Sequence, residues 1–262
     1  MLRRAIAGIR RMSQPTDIVV HDNGSTDPET LQILDELEGI GVRVFRMSAI
    51  ISADELNLVD RTVQAYFAER AQPVRYVVSD CDVDLSVADP LALQIYDLLL
   101  DKLKHVECVG PMLRISDIPS NYPLYNWVMN RHIKLLWSKL PTIERTSMGE
   151  VAFQLARIDT TFALHRAGEP FRRLKTGARV YEPFEALHLD WYKTGDDIYT
   201  ETSSSLISHW DNKVVRSTYQ AEALEYDRYY AVRKNDNGSL EVYQATVKSG
   251  DSQLNAQRDH NG

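Results

Sequence analysis

Apolar residues recur along the first half of the chain at two spacings that alternate. Leu2, Ile6 and Ile9 fall on one stripe of a helix at the start. Asp17-Ile18-Val19-Val20 follows as a short apolar strand. A helix is predicted from Pro28, with Leu31, Leu34 and Leu37 on one face. Thr26 and Glu29 have capping-box spacing before it, and Pro28 suits a first helical turn. Val42-Arg43-Val44-Phe45 reads as a strand by composition. Ser52 and Glu55 form a second capping-box pattern ahead of a helix carrying Leu56, Val59, Val63 and Phe67. The strand Val74-Arg75-Tyr76-Val77-Val78 comes next, and Asp89-Pro90 opens a helix containing Leu93 and Leu100.

Further strands are expected at 106–113 and 158–165, with a helix near 122–140 between them. Alternation of this kind predicts an α/β fold with a mostly parallel sheet flanked by helices. Tyr229–Arg233 and Leu240–Tyr243 read as two arms of a hairpin around Asn237-Gly238, with a type I′ turn. The chain turns polar from about Asn235, and the last dozen residues have the composition of a disordered tail. The expected division is therefore a main domain over 1–232 and a hairpin with a polar tail over 233–262.

Composition narrows the function. The chain is 44% hydrophobic and 26% charged, as in an ordinary globular protein. A net charge of -7 argues against nucleic acid as a partner. Two cysteines, Cys81 and Cys108, make no disulfide framework and suit a reducing compartment, so a cytoplasmic location is expected. No apolar run approaches the ~18 residues of a transmembrane segment. The basic start, MLRRAIAGIRRM, fits a targeting peptide or a membrane-surface helix. Its apolar stripe suits core packing better, which leaves only a peripheral membrane contact open.

Ligands of open α/β sheets sit at the carboxyl ends of strands, and two acidic motifs fall there. The first is Asp22-Asn23-Gly24-Ser25-Thr26-Asp27, after Ile18-Val19-Val20. Taken alone it reads as a strand-to-helix turn with Asx and N-cap chemistry. The second is Ser79-Asp80-Cys81-Asp82-Val83-Asp84, after an apolar strand. Three carboxylates at alternate positions repel one another unless a cation offsets them, and hard cations such as Mg²⁺ or Mn²⁺ prefer such oxygens. An EF-hand loop is excluded, because its sixth and twelfth positions would be Leu85 and Leu91 rather than Gly and Glu. A third segment, Leu187-His188-Leu189-Asp190-Trp191-Tyr192, offers a nitrogen ligand and aromatic walls for a sugar. A fourth is Ile158-Asp159-Thr160-Thr161-Phe162-Ala163-Leu164, an acid at the start of an apolar strand.

DNGSTD at 22–27, VVSDCD at 77–82, IDTTFAL at 158–164 and HLDWY at 188–192 together resemble the GT-A glycosyltransferases of the family-2-like bacterial type, over roughly residues 2–230. The resemblance implies a Rossmann-like GT-A fold and transfer of a sugar from a nucleotide-sugar donor to a saccharide or other hydroxyl acceptor, in surface polysaccharide or glycan synthesis. It implies a Mn²⁺ or Mg²⁺ cofactor held by Asp80, Asp82 and His188, with Asp80 alternatively on the ribose and Asp84 behind them. Asp22, Asn23 and Ser25 would bind the nucleotide, and Asp159 or Asp190 would be the catalytic base. The first strand of that fold is missing ahead of Leu2, which leads one to expect an unpaired sheet edge and weakened stability or activity. Two other readings are a haloacid-dehalogenase-like phosphatase, with Asp80 as nucleophile and Asp82 as acid/base, and a sugar-nucleotide binding module without catalysis.

Overall fold

The computed structural model describes residues 1–48, 58–122, 124–192 and 223–248. The chain forms two compact units, Met1–Pro111 with Leu155–Val180, and Met112–Gln154 with Tyr181–Gly262. The expected boundary at 232/233 falls inside a strand, Arg228–Lys234. The Ser52/Glu55 capping box and the polar tail from 249 onward lie outside the described residues.

The first unit opens with helix α1 (Leu2–Arg10). Its apolar face is used up inside the protein: Ile6 packs with Leu37 and Val42, and Leu2, Ile18, Val20 and Ile33 close around them. The other contact of α1 is polar and tight. Arg4 Nε donates to the buried carboxylate of Asp84 at 2.6 Å. A Cβ on Gly8 would lie 2.8 Å from Asp84 Oδ1 and 2.9 Å from the Leu85 nitrogen, so only glycine lets the helix come this close. The amphipathic start is thus a core helix with an arginine face in solvent.

Strand β1 (Val19–Asp22) pairs in parallel with β2 (Arg43–Arg46), joined by helix α2 (Pro28–Gly39). The cap of α2 is Asp27 rather than Thr26. Its carboxylate accepts from the Thr30 nitrogen at 2.8 Å, because Asp at the residue before Pro28 reaches the third amide directly. Helix α3 (Val59–Ala68) leads to β3 (Tyr76–Val78) and the short β4 (Val83–Asp84), and α4 (Ala92–Lys102) leads to β5 (Cys108–Pro111).

After β5 the sequence pattern misleads. The region expected as one strand over 158–165 is broken: β7 (Gly149–Ile158) ends, the chain makes a local reversal through Asp159–Phe162, and β8 (Ala163–His165) begins with β5 and β9 lying between it and β7. Phe162 takes a φ of 85° at this reversal. Its carbonyl approaches the Gly110 backbone so closely that a Cβ there would lie 2.2 Å from the oxygen. Strands β6 (Thr142–Thr146) and β9 (Lys175–Val180) had no clear alternation to announce them.

The main sheet has six strands in the order β3-β8-β5-β9-β7-β6. Only part of it is parallel. β5 and β9 are parallel, whereas β3 with β8, β5 with β8, and β6 with β7 are antiparallel. The expectation of a mostly parallel sheet is therefore corrected to a mixed one. The link 147–148 between β6 and β7 is too short for the crossover that a parallel pair needs, and β8 enters between β3 and β5 antiparallel to both. On β8, Arg166 follows the strand and donates to the carbonyls of Leu100, Leu103 and Val106, satisfying the open end of α4.

The second unit holds α5 (Tyr125–His132), continued by a π-helical turn over Ile133–Trp137, and β10 (Leu187–His188). β11 (Arg228–Lys234) and β12 (Leu240–Thr246) form the hairpin expected from sequence. Its turn is not type I′. Asn235 and Ser239 still pair across it, Gly238 N–H returns to the Asn235 carbonyl at 2.9 Å, and only Gly238, at φ 83°, is left-handed. A three-residue loop with a glycine bulge satisfies the same Asn-Gly letters with one positive φ instead of two.

Two predictions follow from this packing. Gly110→Ala is expected to cost about 1–3 kcal/mol or more in urea unfolding, since the obstacle is backbone. Gly39→Ala, where a Cβ would meet nothing within 4 Å, serves as the near-neutral control. The second concerns His165, which is 1% exposed, stacked on Tyr76 at 4.9 Å and edged by Phe171. Burial, aided by Lys175, pushes its imidazole down to about 3. The unfolded chain takes up this proton below about pH 6.5 and the folded one does not, so stability present above that pH drains away as pH falls toward 3, by about 1.4 kcal/mol per unit. Unfolding measured from pH 7 to 4 should lose this part of its slope in His165→Phe.

Candidate functional site

The first unit gathers Asp80, Asp82 and Asp159 at one place. Asp80 lies just past β3, where the chain leaves the sheet. Its N–H donates to the Thr160 carbonyl at 2.7 Å. The Thr160 hydroxyl donates back to Asp80 Oδ2 at 2.7 Å. This double link pins the carboxyl end of β3 to the reversal between β7 and β8. The reversal itself is braced by Asp159, which accepts from the Thr161 N–H at 3.2 Å.

Two arginines that the sequence reading passed over complete the cluster. Arg179, on β9, is buried and donates to the Pro111 carbonyl at 3.2 Å and to Thr161 Oγ1 at 3.0 Å. Arg173 Nη2 lies 3.9 Å from Asp159 Oδ2. A single cation within the apolar run Gly177-Ala178-Arg179-Val180 was the available signal, because an arginine there must find a partner indoors.

The neighbours split the acids electrostatically. Burial pushes the Asp80 carboxyl up to about 7; Asp82 and Asp159 add to the rise, while the Thr160 hydrogen bond and Arg173 oppose it. Burial also tends to raise Asp159, but Arg179, the Thr161 hydrogen bonds and Arg173 outweigh it, holding the group below its usual value. One carboxyl therefore titrates near neutrality beside another that stays charged, which is the pattern of paired acid and base sites.

Asp22 is buried at the end of β1 and turns inward: its carboxylate accepts from Ser25 N–H at 3.1 Å and from Ser25 Oγ at 2.6 Å. Gly24, at φ 75°, lets that turn close, and Asn23 is exposed beside it. Asp84 is taken by Arg4 and by the Ser86 N–H and hydroxyl. His188 and Asp190 belong to the second unit. His188 stacks on Trp191 at 4.6 Å, and His132 meets the same indole edge-on at 4.6 Å. Trp191 and Asp190 are buried. Trp191 is thus packed against histidines rather than standing as an open wall for a sugar. Tyr192 donates to Asp117 at 2.6 Å. Tyr122, Tyr125 and Trp137 are core residues, with Trp137 edge-on to Tyr181 and Tyr229.

Among the described residues no group of three or more His, Cys, Asp or Glu side chains is placed to hold a metal ion. The chemistry of Asp80 and Asp82 nonetheless fits a hard cation. Mg²⁺ commonly takes one or two carboxylates from the protein and fills its shell with phosphate oxygens and water. A carboxyl raised by burial and by two neighbouring acids is one that a nearby cation would relieve.

The raised Asp80 makes the site costly to the fold. Above the unfolded value near 3.9, the unfolded chain releases a proton that the folded one keeps until about 7, so Asp80 lowers stability progressively across that window. Asp80→Asn is expected to be more stable than the parent at pH 8, by up to about 4 kcal/mol, and equal to it near pH 4. Urea unfolding in EDTA at the two pH values checks this. No protein-family model, curated protein sequence or solved structure matches this chain.

Proposed function

We propose that this protein is a metal-dependent glycosyltransferase that moves a sugar from a nucleotide-sugar donor to an acceptor hydroxyl in the cytoplasm. The observation that carries the reading is the convergence of Asp80, Asp82 and Asp159, with one acid titrating near neutrality and another held charged. Asp80 and Asp82 would hold Mg²⁺ or Mn²⁺. When bound, the cation supplies charge for the nucleoside diphosphate as it leaves. Asp159 remains ionised at neutral pH and is the group suited to take the acceptor hydroxyl's proton. Thr160 holds Asp80 by its hydroxyl, and Thr161, which Arg179 braces, holds Asp159 through its N–H. The turn Asp22–Ser25 ends β1 and offers exposed Asn23 to a nucleotide. The phosphatase reading needs Asp80 as an ionised nucleophile, and its raised proton affinity disfavours that role at neutral pH.

Incubation with a panel of nucleotide sugars, an acceptor mixture and Mn²⁺ should release nucleoside diphosphate. Release should stop in EDTA and fall by about 100-fold or more in Asp82→Ala and Asp159→Asn. Asp22→Ala should weaken donor binding, while Asp236→Ala in the hairpin should leave it unchanged. Hydrolysis of a simple phosphomonoester that disappears in Asp80→Asn would replace this reading with the phosphatase.

A further inference from the structure

In the second unit, α5 and its π-helical continuation bury one side and leave the other in solvent. Val128, Met129, Ile133, Leu136 and Trp137 form the buried side. The opposite stripe is Trp127, Arg131, Lys134, Leu135 and Ser138, set three or four residues apart. Leu135 on this stripe is 55% exposed, and Leu140, just past the helix, is 65% exposed. The chain then enters β6, where exposed Ile143 and Arg145 alternate onto one side of the strand, and Met148 is exposed in the turn that follows. Four of the eleven large apolar residues that are exposed among the described residues thus fall within fourteen positions. Single exposed apolar side chains are ordinary, but a concentration of them marks a binding surface.

The charges between these side chains are almost all of one sign. Residues 131–145 carry Arg131, Lys134, Lys139 and Arg145 against a single acid, Glu144, in a chain whose net charge is -7. Arg131 lies over the half-buried Trp127 ring at 5.0 Å, and Arg145 lies 3.5 Å from Glu150. Lys134 and Lys139 have no acidic partner among the described residues. The basic helix α1 differs on each point. Its Ile6 is core, Arg3 pairs with Glu36, and Arg4 is taken by Asp84.

We propose that the surface running from Trp127 to Met148 docks the protein on an anionic lipid membrane. Its chemistry selects lipid over other partners. Single-stranded nucleic acid is gripped by aromatic stacking, whereas the exposed apolar groups here are aliphatic. Protein interfaces are depleted in lysine, whereas lysines stand next to both leucines here. Leucine beside lysine matches the boundary between headgroups and acyl chains. The aliphatic tips enter the acyl side, and each ammonium stays with the phosphates at the end of its apolar stem. The Trp127 indole under Arg131 suits the headgroup level, where one end of a ring is apolar and the other wet. Each lysine near an anionic surface strengthens binding by about fivefold. The proposal uses none of Asp80, Asp82 or Asp159, so it stands apart from the glycosyltransferase reading.

Co-sedimentation of the full chain with vesicles at about 0.1 M salt tests it. Vesicles of phosphatidylcholine mixed with phosphatidylserine are expected to bind the protein at least about tenfold more tightly than phosphatidylcholine alone. The double variant Lys134→Ser, Lys139→Ser should weaken that binding by about tenfold or more. Leu135→Ser with Leu140→Ser should weaken it as well, because the apolar tips are lost. Arg3→Ser with Arg10→Ser on α1 should leave it unchanged. All six side chains are exposed, so the variants keep the fold. Any of four results overturns the proposal: no binding to the mixed vesicles, equal binding to phosphatidylcholine alone, no loss in the lysine or the leucine variant, or an equal loss in the α1 variant. Sedimentation without vesicles that shows a dimer dissolved by the leucine variant, with no vesicle binding, assigns the surface to a second copy of the chain instead.

Discussion

Two hydrogen bonds between Asp80 and Thr160 set the geometry on which the candidate site depends. One is main chain to main chain and fixes where the peptide goes. The other is hydroxyl to carboxylate and fixes where the acid points. Together they join the exit of β3 to a reversal that would otherwise be a free loop. The reversal is possible because Gly110 leaves room beneath the Phe162 carbonyl, and Phe162 itself takes a left-handed backbone. A loop strained in this way persists only when its surroundings over-determine it, and here Thr160, Thr161 and Arg179 do so.

The electrostatic outcome follows from that clamp. Asp80 faces protein on most sides and gains a proton-holding bias from burial. Asp159 is buried as well, yet Arg179 and Arg173 reverse the balance. The difference between the acids lies in which has guanidinium neighbours, rather than in depth. A fold that stores such a contrast spends stability on it, and functional sites are where spending of that kind is usually found.

Legibility from sequence tracked locality. The start of α2, the strand before Asp80 and the hairpin at the end were readable because capping residues, short apolar runs and Asn-Gly act within a few residues. The break at 159–162 was not, because Asp-Thr-Thr-Phe reads as the opening of a strand until Gly110, about fifty residues away, is known to sit against it. Asp80 and Asp82 were visible as a crowd of acids. The arginines that set Asp159 apart from Asp80 were not, since Arg173 and Arg179 reach the acids only through the tertiary fold. The mixed sheet escaped for the same reason: β8 enters between β3 and β5, a placement that the tertiary fold sets and no local pattern announces.

The division into units has a consequence for how the chain is made. The first unit takes its last strand, β9, from Lys175–Val180, and β5 pairs only with β8 and β9. A ribosome that has delivered Met1–Pro111 has therefore released α4, which packs against β5, but neither of the strands beside it. Until residue 165 emerges, the buried run Cys108-Val109-Gly110-Pro111 waits with both edges open, and one edge stays open until residue 180. Contacts this distant in sequence slow folding, and a waiting apolar edge is where nascent chains join one another. Expression of this protein should thus be governed by what happens during synthesis of its middle third more than by the stability of the finished fold.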